Sequence, residues 1–404
     1  MINQKTTIIL VILLSSIYFV SQFYRASLGT LTNNLEQDFL LNPEELGRLG
    51  GLFFLAFSFT QIPLGILLDY YNPLKVIVLM LIIIYFGTLI IYISDSYILL
   101  ALGRILQGIG CGVCLMGPLV FLGKNFSDKQ FPKYSGYIMS LGGLGALVAT
   151  RPFFYLTTQV GWQKSYLITS FFIIILVSTA LFFIPIITVK DKIKVKRKFN
   201  VKEYIDIILS KNFLYMLPMS FFGYAAFAFL LTLWGGEFLK LFQKMNEVNI
   251  SIALMIMAFS WTMGSLFYGL LVSKINSKKK IVIISTLILI LLILSLSFLY
   301  DVSYYIICFI FGCIGFVGSY TLVVISQYRS LFPSDIIGKV LTTANFFNFL
   351  GVFFIHWFTG IIIYLSKNYN YFNEKTGFSI SFIFVALYLS LSIYFYTKID
   401  ECKK

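Results

Sequence analysis

The sequence predicts an all-α membrane protein with twelve transmembrane helices in two pseudo-symmetric six-helix bundles. Three observations carry that expectation. Twelve apolar runs of roughly 20 residues recur along the chain, the length an α-helix needs to cross about 30 Å of hydrocarbon. The 404 residues are 59% hydrophobic with mean hydropathy +0.88, well beyond the roughly 45–50% apolar content of soluble domains. One long basic stretch, 189–211, divides the runs six and six. Lipid offers backbone amides no partner, so such runs close their own hydrogen bonds as helices.

In order, the predicted spans are 6–28, 46–68, 74–94, 97–123, 133–159, 165–188, 212–234, 248–272, 280–299, 303–328, 337–365 and 377–397. The first follows Met1–Lys5 in the manner of a signal peptide. Its length, and the lack of a small-residue cleavage site, mark it as a retained span. Links at 69–73, 95–96, 161–164, 274–279 and 301–302 are short, which makes consecutive helices antiparallel neighbours. The expected organisation is a bundle over 1–188, a basic linker over 189–211 and a second bundle over 212–404.

Charge placement sets the orientation. With a cytoplasmic N-terminus, 22 of the 31 Lys and Arg residues fall in inner segments, six in outer segments and three inside spans. That asymmetry is the positive-inside pattern and puts both termini in the cytoplasm, with a bacterial plasma or inner membrane as the expected location. It also accounts for the net charge of +14: lysines facing anionic head groups make nucleic acid unnecessary as a partner. Cys111 and Cys114 lie three apart in an apolar run with no second Cys or His pair beside them, which reads as core packing and not as a metal or redox site.

The midpoint linker invites a search for repeats. Gly65 and Asp69 close the second span much as Gly269 and Ser273 close the eighth. Glycines at 108, 110 and 112 in the fourth span parallel those at 312, 315 and 318 in the tenth. Duplicated halves of this kind are a transporter signature.

Three stretches resemble the major facilitator superfamily. Gly65, Asp69, Asn72, Pro73 and Lys75 are similar to its loop between helices two and three. Arg104, Gln107, Gly108 and Gly110 resemble its fourth-helix motif, and Gly142, Gly145, Arg151 and Pro152 its fifth helix. The likeness runs the length of the chain. Tyr70 and Asn72 stand where the loop motif has a basic residue and a glycine; Asn72 suits a left-handed position better than most residues. The resemblance implies that helices one, four, seven and ten line a central cavity. It also implies a cytoplasmic gate at Gly65, Asp69 and Lys75, with Asp69 meeting the start of the eleventh span near 336–338.

Arg25, Arg104 and Arg151 lie within spans, and no Asp or Glu does, since Glu36, Asp38, Glu44, Glu45 and Glu237 fall in outer loops or at span ends. Buried cations without a resident acid are functional candidates. Arg suits a carboxylate or phosphate, which it grips with two parallel hydrogen bonds. Each also has a structural reading: Arg25 reaching the outer interface beside Tyr24, Arg104 bonding carbonyls released by nearby glycines, Arg151 facing a carbonyl freed by Pro152. The other polar candidates are Gln22, Gln107, Asn345 and Asn348. His356, the sole histidine, is read either as a neutral ring bonded to a neighbour or as a proton carrier. Trp234 is expected as an anchor at the outer interface or as a cavity wall.

These readings favour a secondary transporter, working as a monomer without a cofactor, whose cargo is a small organic anion or zwitterion. A drug exporter of the same superfamily is the alternative, and it would want an acidic residue in the cavity. No phosphate-cradling G-x-x-x-x-G-K-[ST] occurs, so direct ATP drive has no support. One histidine and no buried carboxylate also argue against a membrane enzyme, whereas a transporter-like sensor stays open.

Overall fold

Every predicted span holds helix among its described residues in the computed structural model, which describes residues 4–127, 130–185, 201–274, 277–299, 301–333, 336–368 and 374–399; 186–188 of the sixth span lie outside them. Spans one, two, three, six, eight, nine, eleven and twelve run unbroken as Gln4–Ala26, Pro43–Tyr70, Pro73–Tyr92, Trp162–Phe183, Glu247–Lys274, Lys278–Leu296, Ile337–Asn368 and Glu374–Tyr396. The other four are interrupted. Span four breaks between Tyr97–Cys111 and Val113–Asn125, and span ten between Tyr304–Gly318 and Thr321–Leu331. Span seven runs as Lys211–Phe222, Ala225–Phe229, a π-helical turn over Leu230–Trp234, and Gly235–Gln243. Span five divides into Phe131–Val148 and Arg151–Val160, because Pro152 has no amide to offer the preceding turn. Among the described residues, eleven helices are long and apolar enough to cross a membrane, and the broken fifth is not counted with them. Of the predicted linker, 189–200 lies outside the described residues; the remainder includes a helix over Val201–Leu209.

Local chemistry explains the boundaries. Asn72 caps the third span: its side chain accepts from the Leu74 amide at 2.9 Å, with Pro73 at the first helical position. Its backbone is extended, at φ −60° and ψ 123°, so the expected left-handed conformation is not adopted; capping is what this asparagine supplies. Lys124, ending the fourth span, donates from Nζ to the Leu68 carbonyl at 2.8 Å and satisfies the C-terminal end of the second. Asp69 and Lys75 are exposed.

The seventh helix continues to Gln243, beyond the predicted end at 234. Two expectations change with it. Trp234 is only 2% exposed and packs edge-to-face on Phe378 at 6.0 Å, so it is a core residue and not an interfacial anchor. Glu237 is 6% exposed within the same helical span, so a carboxylate does lie inside a span.

The chain forms two compact units, one of Met1–Ser27 with Leu55–Phe199, the other of Leu28–Phe54 with Asn200–Lys404. The tip of the first helical hairpin is therefore counted with the C-terminal half, a finer division than a boundary at the linker. Within each unit a glycine closes a helix crossing. A β-carbon on Gly145 of span five would strike the Phe19 carbonyl of span one, and one on Gly351 of span eleven would strike the Phe221 carbonyl of span seven. Gly87 and Gly103 face each other's carbonyls at 2.9 and 2.8 Å from the β-carbon positions, joining spans three and four. Small residues let helices approach where lipid supplies no hydrophobic drive. Replacing Gly145 by Leu is expected to cost about 1–3 kcal/mol through overpacking. Thermal unfolding in detergent measures it, with Gly136→Ala as the control, since nothing lies within 4 Å of that β-carbon position.

Candidate functional site

The first unit brings two of the three span arginines to one turn of helix one. That helix ends at Ala26 and tightens into a 3₁₀ turn over Ser27–Thr30, which changes the pairing of the last carbonyls. Arg104 of span four, 2% exposed, donates from Nη1 to the Tyr24 carbonyl at 2.9 Å and to Gln107 Oε1 at 3.2 Å. Arg25, 8% exposed, follows Tyr24 in the chain, donates to Gln22 Oε1 at 3.2 Å and lies 4.6 Å from the centroid of the Phe57 ring. All these partners are uncharged.

A hydroxyl and amide network holds this turn in place. Gln107 Nε2 donates to Thr88 Oγ1 at 3.1 Å, and the Tyr24 hydroxyl lies 3.1 Å from Thr88 Oγ1 and 2.8 Å from Thr169 Oγ1. Tyr24 also stacks on Tyr166 at 6.1 Å and 7°, and the Tyr166 hydroxyl meets Ser27 Oγ at 3.1 Å. Spans one, three, four and six thus meet around the two cations. The Arg104 bond to a helix-one carbonyl matches its structural reading in kind, although the carbonyl comes from the last α-helical turn before the 3₁₀ segment and not from the glycines.

Arg151 is placed otherwise. It is half-buried at the first position of the helix after the fifth-span break and lies 5.5 Å from the Phe154 ring centroid.

The second unit holds the remaining candidates. Asn345 and Asn348 are half-buried on span eleven and have no hydrogen-bond partner among the described residues. His356, wholly buried, sits farther along the same helix, between Thr232 of the π-helical turn and the ring of Phe54. Sequence reasoning missed Thr88, Thr169 and Thr232, because hydroxyls in membrane helices are usually satisfied by their own preceding turn. Their cross-helix bonds have no signature in spacing. No group of His, Cys, Asp or Glu able to hold a metal occurs among the described residues.

Residues 14–356 match the family model described as Major Facilitator Superfamily. No curated protein matches the chain by sequence. Among solved structures, a bacterial homolog of the human lysosomal transporter Spinster, in an inward-facing and occupied conformation, superposes with TM-score 0.77 at 14% identity, covering 98% of this chain and 97% of that one. A D-xylose–proton symporter gives TM-score 0.76 at 15% identity, with 97% and 98% covered. The nucleoside transporter NupG gives 0.74 at 14%, with 96% and 98% covered. Likeness at this identity concerns the fold alone. Tyr24→Phe, which deletes the hydroxyl shared by Thr88 and Thr169 but keeps the stacked ring, is expected to cost about 1–2 kcal/mol. A lowered unfolding midpoint in detergent is the measurement.

Proposed function

The chain belongs to the major facilitator superfamily, and on that premise we propose that the cargo of this membrane transporter is a small organic anion or zwitterion such as a carboxylate or amino acid. The observation that carries the reading is the pair of buried guanidinium groups, Arg25 on Gln22 and Arg104 on Gln107 and on the carbonyl of Tyr24, the residue before Arg25. Charge-assisted, two-pronged bonding to a carboxylate is what such groups do best. In this reading Arg25 and Arg104 grip the charge, with Gln22 and Gln107 keeping their forks in register. Arg151 guides the anion from the fifth-span break, and in the second unit Asn345 and Asn348 are the amides of span eleven offered to ligand.

Two features support the placement. The interrupted helices include four, seven and ten, while helix one tightens only at its end, and discontinuous helices at matching positions in duplicated halves are where transporters of this kind build their sites. Asn345 and Asn348 also retain amide capacity for a ligand. We place both termini in the cytoplasm, the gate at Gly65, Asp69 and Lys75, and a monomer in a bacterial plasma membrane, on the lysine asymmetry and the sequence resemblance. One observation favours the alternative, an exporter of cationic or lipophilic drugs: the buried carboxylate of Glu237 is the kind of group such cargo requires.

Uptake of a labelled metabolite panel into proteoliposomes separates the two. Anionic or zwitterionic compounds are expected to accumulate. Arg25→Gln should lower kcat/KM at least tenfold, the equivalent of one charge-assisted bond of about 1.5–3 kcal/mol. Arg104→Lys retains a donor for the Tyr24 carbonyl and separates folding from binding. Cation uptake abolished by Glu237→Gln and indifferent to Arg25→Gln would replace this reading with the alternative.

A further inference from the structure

We propose that His356 is a reversible proton-binding site, and that Thr232 is the positioning residue that lets the buried ring change charge without rearranging its surroundings. Imidazole Nδ1 lies 2.7 Å from the Val352 carbonyl. A carbonyl only accepts, so Nδ1 carries a hydrogen in either charge state. Nε2 lies 2.8 Å from Thr232 Oγ1, and that oxygen is 2.8 Å from the carbonyl of Ala228. A threonine hydroxyl has one proton and two acceptor lone pairs. In the neutral state it donates to Nε2. When a proton taken from water arrives on the Nε2 lone pair, the new N–H donates to Oγ1, and the hydroxyl hydrogen turns to the Ala228 carbonyl. No heavy atom has to move.

The surroundings favour this use of the ring. Phe54 stacks parallel to it at 5.4 Å and 16°, a face that attracts an imidazolium more than a neutral imidazole. Thr232 sits in the π-helical turn Leu230–Trp234, a distortion that is rare in helices and concentrated at functional positions. The same two helices seat the tip of the first hairpin within the second unit. Gly29 lies against the backbone of Leu231 and Thr232, Gly50 against the Leu233 side chain, and Gly47 against the His356 carbonyl. Protonation is therefore felt by the hairpin through Phe54.

Phe54, Thr232 and the Val352 carbonyl, which face the ring, carry no net charge. The charged residues on the helices packed here are Glu44, Glu45, Arg48 and Asp69 on span two, Lys211, Glu237 and Lys240 on span seven, and Lys339 and Lys367 on span eleven. Glu44 and Arg48 flank the Gly47 crossing, and Glu237 lies five residues beyond Thr232.

His356 is the single histidine of the chain, so [15N]histidine NMR of the full-length protein in phosphatidylcholine–phosphatidylglycerol nanodiscs reports this ring alone. The expected result is a neutral ring with its hydrogen on Nδ1 at pH 8.5, converting to imidazolium on acidification to pH 4.5. Thr232→Val should lower the titration midpoint by a full pH unit or more, a tenfold loss of proton affinity, because the charged form loses the stronger bond. Thr232→Ser should restore it. Hydrogen exchange over 28–54, corrected for intrinsic rates, should be slower at pH 5 than at pH 8, and His356→Gln should erase that difference. A neutral ring protonated on Nε2, no titration in the folded protein, or an unchanged midpoint in folded Thr232→Val would overturn the proposal. None of these readings uses cargo, so they stand apart from the anion assignment.

Discussion

A carbonyl released from its helix inside a membrane has no water to turn to, so each interruption of a span must be answered by another part of the protein. Much of what distinguishes this chain follows from those answers. In the last α-helical turn of helix one, just before its 3₁₀ segment, the Tyr24 carbonyl is met by Arg104 of span four. One bond thereby joins two helices and holds a buried guanidinium on the backbone of the residue that precedes Arg25. The cation is tolerated because it satisfies a backbone group.

The helices themselves are held by close approach. Gly145 against the Phe19 carbonyl and Gly351 against the Phe221 carbonyl repeat one device in the two units, span five on one and span eleven on seven. Side chains on third helices add hydrogen bonds to one member of each crossing. Thr88 and Thr169 bond Tyr24 of span one, and Ser392 donates to the Pro218 carbonyl of span seven at 3.0 Å. Packing by small residues and a sparse set of cross-helix hydrogen bonds together do the work that hydrophobic burial does in water.

The polar groups of the two units differ in character. The first concentrates permanent positive charge on Arg25 and Arg104, both held by neutral partners. The second offers amides on span eleven, a buried carboxylate on span seven and a histidine whose two nitrogens face a carbonyl and a hydroxyl. Fixed charge suits recognition of an anion, and a switchable ring suits uptake of a proton.

Spans, their order and the superfamily were legible in the chain because apolar length and charge asymmetry are one-dimensional properties, read off without knowing which helix touches which. The ends of the spans came within a few residues for the same reason, apart from the seventh, where Glu237 interrupts an apolar run that the helix continues through. The arginines, too, could be singled out from composition alone. Their partners could not, since a hydrogen bond from Arg104 to Tyr24, 80 residues away, depends on which faces of two helices meet. Asn72 as a cap, Trp234 as core, Glu237 as a buried acid and Thr232 beside His356 were decided only by tertiary structure. In a membrane, sequence sets which segments cross, and packing sets where each polar group finds the partner that lipid cannot supply.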